Sequence, residues 1–400
     1  MKVRPLVTPE AHMTLNRRNF LQLSAVGGTA LALGPAFWRQ AYAAPARPGT
    51  SPYGALSGSA DANGVRLPAG FSSRIIARSG AKVANTGYTW HGAPDGGACF
   101  PVSGGGWIYT SNSEKTLGTG GVSAIRFDGG GAITGAYRIL SNTTSNCAGG
   151  RTPWGTWLSC EEYSGGRVWE CDPTKASQGV VRPALGTFSH EAVAVDSDDY
   201  RLYLTEDSTS GRFYRFTPSA YPSLDAGTLE AARVSGDPLT GATVTWEPVS
   251  ASKPASQQSN ASRTTVFNGG EGCWYDRGTV YFTTKGDNRV WAYTPASSRL
   301  EIIYDDNLYP NSPLTGVDNV TVSSSGDIFV AEDGGDLQIC IITPERIVAP
   351  LLQLVGHNSS EITGPAFSPD GKRLYFSSQR GTSGTNGGGI TFEVTGPFRT

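Results

Sequence analysis

Acidic residues stand at the ends of short aromatic strands along the chain. Glu114 follows WIYTSNS from Trp107, Glu161 and Glu162 close TWLSCEE, and Glu206 and Asp207 close LYLTED. Asp287 follows VYFTTKG, Glu332 and Asp333 close IFVAED, and Gln379 ends LYFSSQ. About 14–15 residues ahead, the span of one strand out and one back, stand Cys147, Glu191, Glu271 and Asp318, with Asp95 and Glu361 somewhat further ahead. A hairpin returns the chain to the edge it left, so both sets can meet at one mouth. Carboxylates gathered around one axis repel each other and lose hydration, and cations remove that cost. Oxygen ligands in such number suit calcium, whereas the thiolate of Cys147 suits a transition metal. Histidine is too sparse beyond the N-terminus (His91, His190, His357) for a His-rich zinc site, and His190 reads as a packing residue beside Glu191.

The strands that must position these groups recur roughly every 47 residues, with one interval about 30 residues longer, and carry no helical periodicity. Four repeats have a fuller form, such as HEAVAVDSDDYRLYLTED from His190 and DNVTVSSSGDIFVAED from Asp318. There an alternating apolar strand, a turn and a second β-rich strand follow one another, which reads as the inner hairpin of a propeller blade. The expected fold is therefore all-β, a six-bladed β-propeller with an axial metal site over 86–400. The long interval holds a surface insertion at 219–262 that carries a strand pair, VTWEPV from Val244 being one member. Trp107, Trp154, Trp157 and Trp274 read as blade core.

Only 16% of the residues are charged and 38% are apolar, enough for a large core, while 52 Gly and 25 Pro require many turns. A formal charge of −2 gives no basic footprint, which excludes nucleic acid as an expected partner. Paired Arg17 and Arg18 precede Phe20-Leu21, a mildly apolar stretch and Ala41-Tyr42-Ala43. Residues 1–43 thus read as a twin-arginine signal peptide, which implies the twin-arginine machinery as a partner and a periplasmic or secreted product with no membrane anchor after cleavage. Residues 44–85 read as a linker that wraps onto the domain edge, with one strand at Ser73 to Ala77. No Cys-x-x-Cys spacing occurs among the six cysteines, and Cys160 with Cys171 is the best-placed disulfide pair, the alternative being two buried thiols.

The segments NCAGGRTPWGTWLSCEE (146–162), SHEAVAVD (189–196), LYLTEDSTSGRFYRFTP (202–218), EGCWYD (271–276), VAEDGGD (330–336) and SEITGPAFSPDGKRLYFSSQ (360–379) resemble the PhoX-type alkaline phosphatase family. The resemblance runs from about residue 85 to the C-terminus. It implies a six-bladed propeller, twin-arginine export, and an axial cluster of iron and calcium that hydrolyses small phosphate esters. Residue by residue, it implies Cys147 on iron, Glu162, Glu191 and Glu271 as cluster ligands, and Asp207 with Glu332 or Asp333 on calcium. Glu114 matches the acid of a family Asn-His-Glu that here reads Asn112-Ser113-Glu114. Where the family pattern has an arginine two residues before Glu-Gly, this chain has Gly269, and Gln379-Arg380-Gly381 replaces Gln-His-Pro. Arg380, Arg151 and Lys285 are the residues that can supply the phosphate-binding charge instead. Two other readings stay open from the residues alone, a calcium-dependent lactonase or esterase, and a non-catalytic exported metal-binding protein.

Overall fold

A computed structural model describes residues 44–399 apart from Ser177, so the twin-arginine segment lies outside the described residues. Regular structure among them consists of β-strands and short 3-10 turns. No helix among them is long and apolar enough to cross a membrane.

Six hairpins pair as the repeats predict. Pro94–Pro101 pairs with Trp107–Ser113, Asn146–Arg151 with Trp157–Glu161, and His190–Asp196 with Arg201–Glu206. Gly270–Asp276 pairs with Thr279–Thr284, Val317–Val322 with Ile328–Glu332, and Ile362–Phe367 with Arg373–Ser378. The second strands read as apolar runs because both their faces are covered; Leu202, Tyr203 and Leu204, for example, are fully buried. Each hairpin's first strand touches the next hairpin's first strand, and the sixth touches the first, which closes a circle. Six apolar clusters fill the seams between neighbours, such as Tyr203, Phe213, Phe282 and Trp291 between the third and fourth hairpins. The described residues form an all-β, propeller-like fold.

Further strands extend the hairpins outward into five sheets. The insertion forms Ser223–Ser235 and Ala242–Pro248, an antiparallel pair on the third hairpin's sheet. Its outer strand meets the fourth hairpin's sheet at Ala242 and Thr243, opposite Leu300 and Arg299, and so joins the two into one nine-stranded sheet. The N-terminal segment is more than a linker. Ser72–Arg78 pairs with Ile390–Thr395 as the outer strand of the sixth hairpin's sheet, while Arg47–Pro48 and Val65–Arg66 dock on Ile347–Leu354.

All six cysteines are free thiols. The pairing of Cys160 with Cys171 is not formed because Val168 stands opposite Cys160 and Trp157 opposite Cys171, three residue pairs apart along the ladder. The two side chains are buried in different clusters.

Candidate metal centre

Each first strand bulges near its start, the ladder register shifting across its second and third residues in the first five hairpins and across its third and fourth in the sixth. The bulge re-aims one side chain from the sheet face toward the axis. In this way Asp95, Cys147, Glu191, Glu271 and Asp318 form a deep tier, the four acids being almost fully buried. Small residues follow most of them (Gly96, Ala148, Ala192, Gly272), because the first strands pack backbone against backbone here. A Cβ on Gly96 would come within 2.5 Å of the Ala148 Cα, and one on Gly272 within 2.5 Å of the Val320 nitrogen.

Second strands deliver a rim tier. The backbone N–H groups of Glu114, Glu162, Asp207, Lys285, Asp333 and Gln379 donate to the carbonyls of Ala93, Ser145, Ser189, Gly269, Gly316 and Glu361. That equivalence distinguishes the two members of each adjacent acid pair by position. Glu162, Asp207 and Asp333 are the ones placed with the ring, while Glu161, Glu206 and Glu332 turn back to hold their own loops. Both oxygens of Glu332 are engaged by residues flanking its own hairpin, Oε1 accepting from the Thr315 N–H at 2.7 Å and Oε2 from the Gln338 N–H at 2.8 Å. Asp287 also leaves the ring, accepting from Thr284 and Arg289 outside it, and Lys285 takes its place. On the sixth hairpin the bulge falls at Gly364 and Pro365, which offer no ligand to the deep tier, and Glu361 stands just ahead of the strand.

Three groups of potential ligands have donor atoms within 4.8 Å of one another: Cys147, Glu162 and Glu191; Asp95, Glu114 and Glu361; and Glu191, Glu271 and Asp318. Within the first, the Cys147 thiol donates to Glu191 Oε1 at 3.4 Å. In the second, the Gln379 amide bridges Asp95 Oδ2 at 2.6 Å and Glu114 Oε2 at 2.7 Å. Asn319 spans the floor, donating to Asp318 Oδ1 at 2.9 Å and Glu191 Oε1 at 3.4 Å and accepting from the Gly364 N–H at 2.7 Å. Spacing between acids gave no hint of Asn319; its position directly after Asp318 was the available signal.

Arg380 meets Glu361 Oε1 at 2.7 Å on the rim. Arg151 does not join it. It ends the strand that Asn146 begins, four residues past Cys147 and about 13 Å from it at the rise of an extended chain, and lines a separate cavity with Trp274 and Ser323.

Nine carboxyls thus converge against Lys285 and Arg380, and the strain of gathering them appears in their protonation. Burial first, then the charges of Glu271, Glu162 and Asp318, hold Glu191 well above the usual carboxylate range. Burial, a hydrogen bond with Asp207 and the Glu114 charge push Glu162 up to about 9. Burial with Asp95 and Asp318 pushes Glu361 up to about 10, and burial with Asp333 pushes Asp318 up to about 8. Cys147 is raised by burial and by Asp95 and Glu191. The donor set fits cations: Glu191 Oε2 is buried with no hydrogen-bond partner, and oxygen ligands surround a single thiol.

The family model for alkaline phosphatase PhoX matches residues 109–168 and 164–381 of the chain. No curated protein matches its sequence. Among solved structures, Pseudomonas fluorescens PhoX in complex with vanadate, a transition state analogue, aligns with a TM-score of 0.69 at 16% identity, covering 85% of this chain and 97% of that one. A Bacteroides thetaiotaomicron protein of unknown function aligns with a TM-score of 0.50 at 9% identity, over 81% of this chain and 76% of its own. A gluconolactonase from Xanthomonas campestris aligns with a TM-score of 0.48 at 13% identity, over 87% and 99%. At these identities the first two structures bear on the fold alone.

Proposed function

Because the chain belongs to the alkaline phosphatase PhoX family, we propose that its axial ring hydrolyses phosphate monoesters of small molecules with bound calcium and iron. The observation that carries this reading is the gathering of seven carboxyls and the Cys147 thiol into three groups with donor atoms within 4.8 Å of one another, with a fully buried Glu191 oxygen left unpartnered. We read the nine-stranded sheet as two blades joined by the insertion, which makes six blades, one per hairpin. Cys147, Glu162 and Glu191 are the residues to hold iron, and Asp95, Glu114 and Glu361 the residues to hold calcium. Bound there, the metals supply positive charge that neutralises the phosphoryl oxygens as negative charge develops in the transition state.

The protein's own contribution is placement. Asn319 and Gln379 fix carboxylate orientations by donating to them, so that little reorganisation accompanies reaction. Arg380, half-buried on the rim, offers guanidinium N–H groups to a phosphate that approaches over Glu361. The twin-arginine segment supports export to the periplasm or beyond, and that route carries folded proteins, so the metals can be taken up first.

Phosphate release from an aryl phosphate, followed from pH 7 to 11 with calcium- and iron-replete protein, tests the reading. Turnover should disappear in Glu271→Ala and in Cys147→Ser. Arg380→Ala should raise KM about 10–100-fold, the worth of a charge-assisted hydrogen bond. Wild-type protein that releases no more phosphate than Glu271→Ala would refute it.

A further inference from the structure

One rim position breaks the pattern of the others. Glu114, Glu162, Asp207 and Asp333 stand on four hairpins and the neutral Gln379 on the sixth, but the fourth carries Lys285. Its ammonium lies 2.9 Å from Asp207 Oδ2, on the third hairpin, and 2.9 Å from Glu271 Oε1, on its own. Space for the lysine stem comes from Gly269, whose φ of +66° suits glycine. A Cβ there would stand 3.0 Å from Lys285 Cγ and 3.5 Å from Asp207 Oδ1. The Lys285 N–H also donates to the Gly269 carbonyl at 2.8 Å, so the stem is fixed at its root.

A compact positive charge that joins carboxylates of two adjoining hairpins does what a divalent ion does at the other edges of the ring. Asp207 belongs to none of the three potential ligand groups, while Glu271, which belongs to the third with Glu191 and Asp318, gives its Oε1 to Lys285. We propose that Lys285 is a resident cation that fills the Asp207–Glu271 edge and keeps divalent ions out of it, so that uptake is confined to the remaining edges. The inference rests on the reading of the ring as a cation site and adds which part of the ring is closed.

Calcium and iron are counted on full-length purified protein by elemental analysis and native mass spectrometry. K285E should carry one more calcium per chain than wild type, and K285R the same number as wild type. K285Q, which adds no charge, is the second variant, and its calcium-induced rise in Tm should exceed that of wild type. Equal counts in wild type and K285E, together with equal Tm shifts in wild type and K285Q, would overturn the inference and leave the functional reading intact. A wild type without cations that gains one with K285E would support the inference and refute the metal-dependent function. No cation in either protein would overturn both.

Discussion

Adjacent acids at the strand ends have opposite tasks. Glu161 accepts from the Thr144 N–H at 2.9 Å and from Arg167 at 3.3 Å, and Glu206 accepts from the Arg212 N–H at 3.0 Å and the Tyr214 hydroxyl at 2.6 Å, as Glu332 does from Thr315 and Gln338. The next residue along each chain, pointing the opposite way, reaches the ring. Glu332→Ala should therefore cost about 1–3 kcal/mol, the penalty of leaving buried donors without a partner, with the calcium count unchanged. Asp333→Asn should weaken calcium binding and leave the stability of chelated protein as it was. Denaturant unfolding in chelator and a calcium titration distinguish the two, and equal effects of both variants on calcium binding would refute the division. The acid pairs were legible in the sequence, but the phase was not. Which acid faces inward depends on where the ladder bulges, and a bulge leaves no fixed residue signature when Gly96, Ala148, Ala192, Gly272 and Asn319 all serve the same position.

The hairpins hold the ring through their seams. Asn112 on the first hairpin donates to the Cys147 carbonyl on the second, Thr205 on the third to the Glu271 carbonyl, Thr283 on the fourth to the Asp318 carbonyl, and Thr363 on the sixth to the Pro94 carbonyl. These bonds require backbones in near contact, which makes Gly272 a structural necessity. Gly272→Ala should destabilise by about 1–3 kcal/mol through overpacking. Gly58→Ala, where an added Cβ meets nothing within 4 Å, should stay within about 0.5 kcal/mol of wild type. The shift of the urea midpoint measures both, and equal shifts would contradict the seam argument. At this scale the sequence was most informative, since period-two alternation and repeat length defined each hairpin. It could not show that the insertion ties two sheets together, because that union rests on Ala242 and Thr243 meeting Leu300 and Arg299, a contact between distant segments with no local pattern.

Closure of the circle depends on covalently distant pieces. Ser72–Arg78, which precedes the first hairpin, completes the sheet of the sixth, so the two ends of the repeat array are joined by backbone pairing. The potential ligand groups cross the same seams: Cys147 and Glu162 meet Glu191 of the third hairpin, Asp95 and Glu114 of the first meet Glu361 of the sixth, and Glu191, Glu271 and Asp318 span the third to the fifth. A cation bound in each would join neighbouring hairpins as well as relieve repulsion. Ions that bind the folded chain and not the unfolded one stabilise it by about 2.7 kcal/mol per site when free calcium is 100 times Kd. Chelation of calcium should thus lower Tm by several degrees, and added calcium should restore it more fully than sodium chloride at matched ionic strength, which only screens the carboxylates. Because the Asp95, Glu114 and Glu361 group lies on the seam between the first and sixth hairpins, amide exchange in chelated protein should rise first in Ser72–Arg78 and Ile390–Thr395. A Tm indifferent to both chelator and calcium would remove the ring's stabilising role, and exchange that rises uniformly would detach that role from the seam.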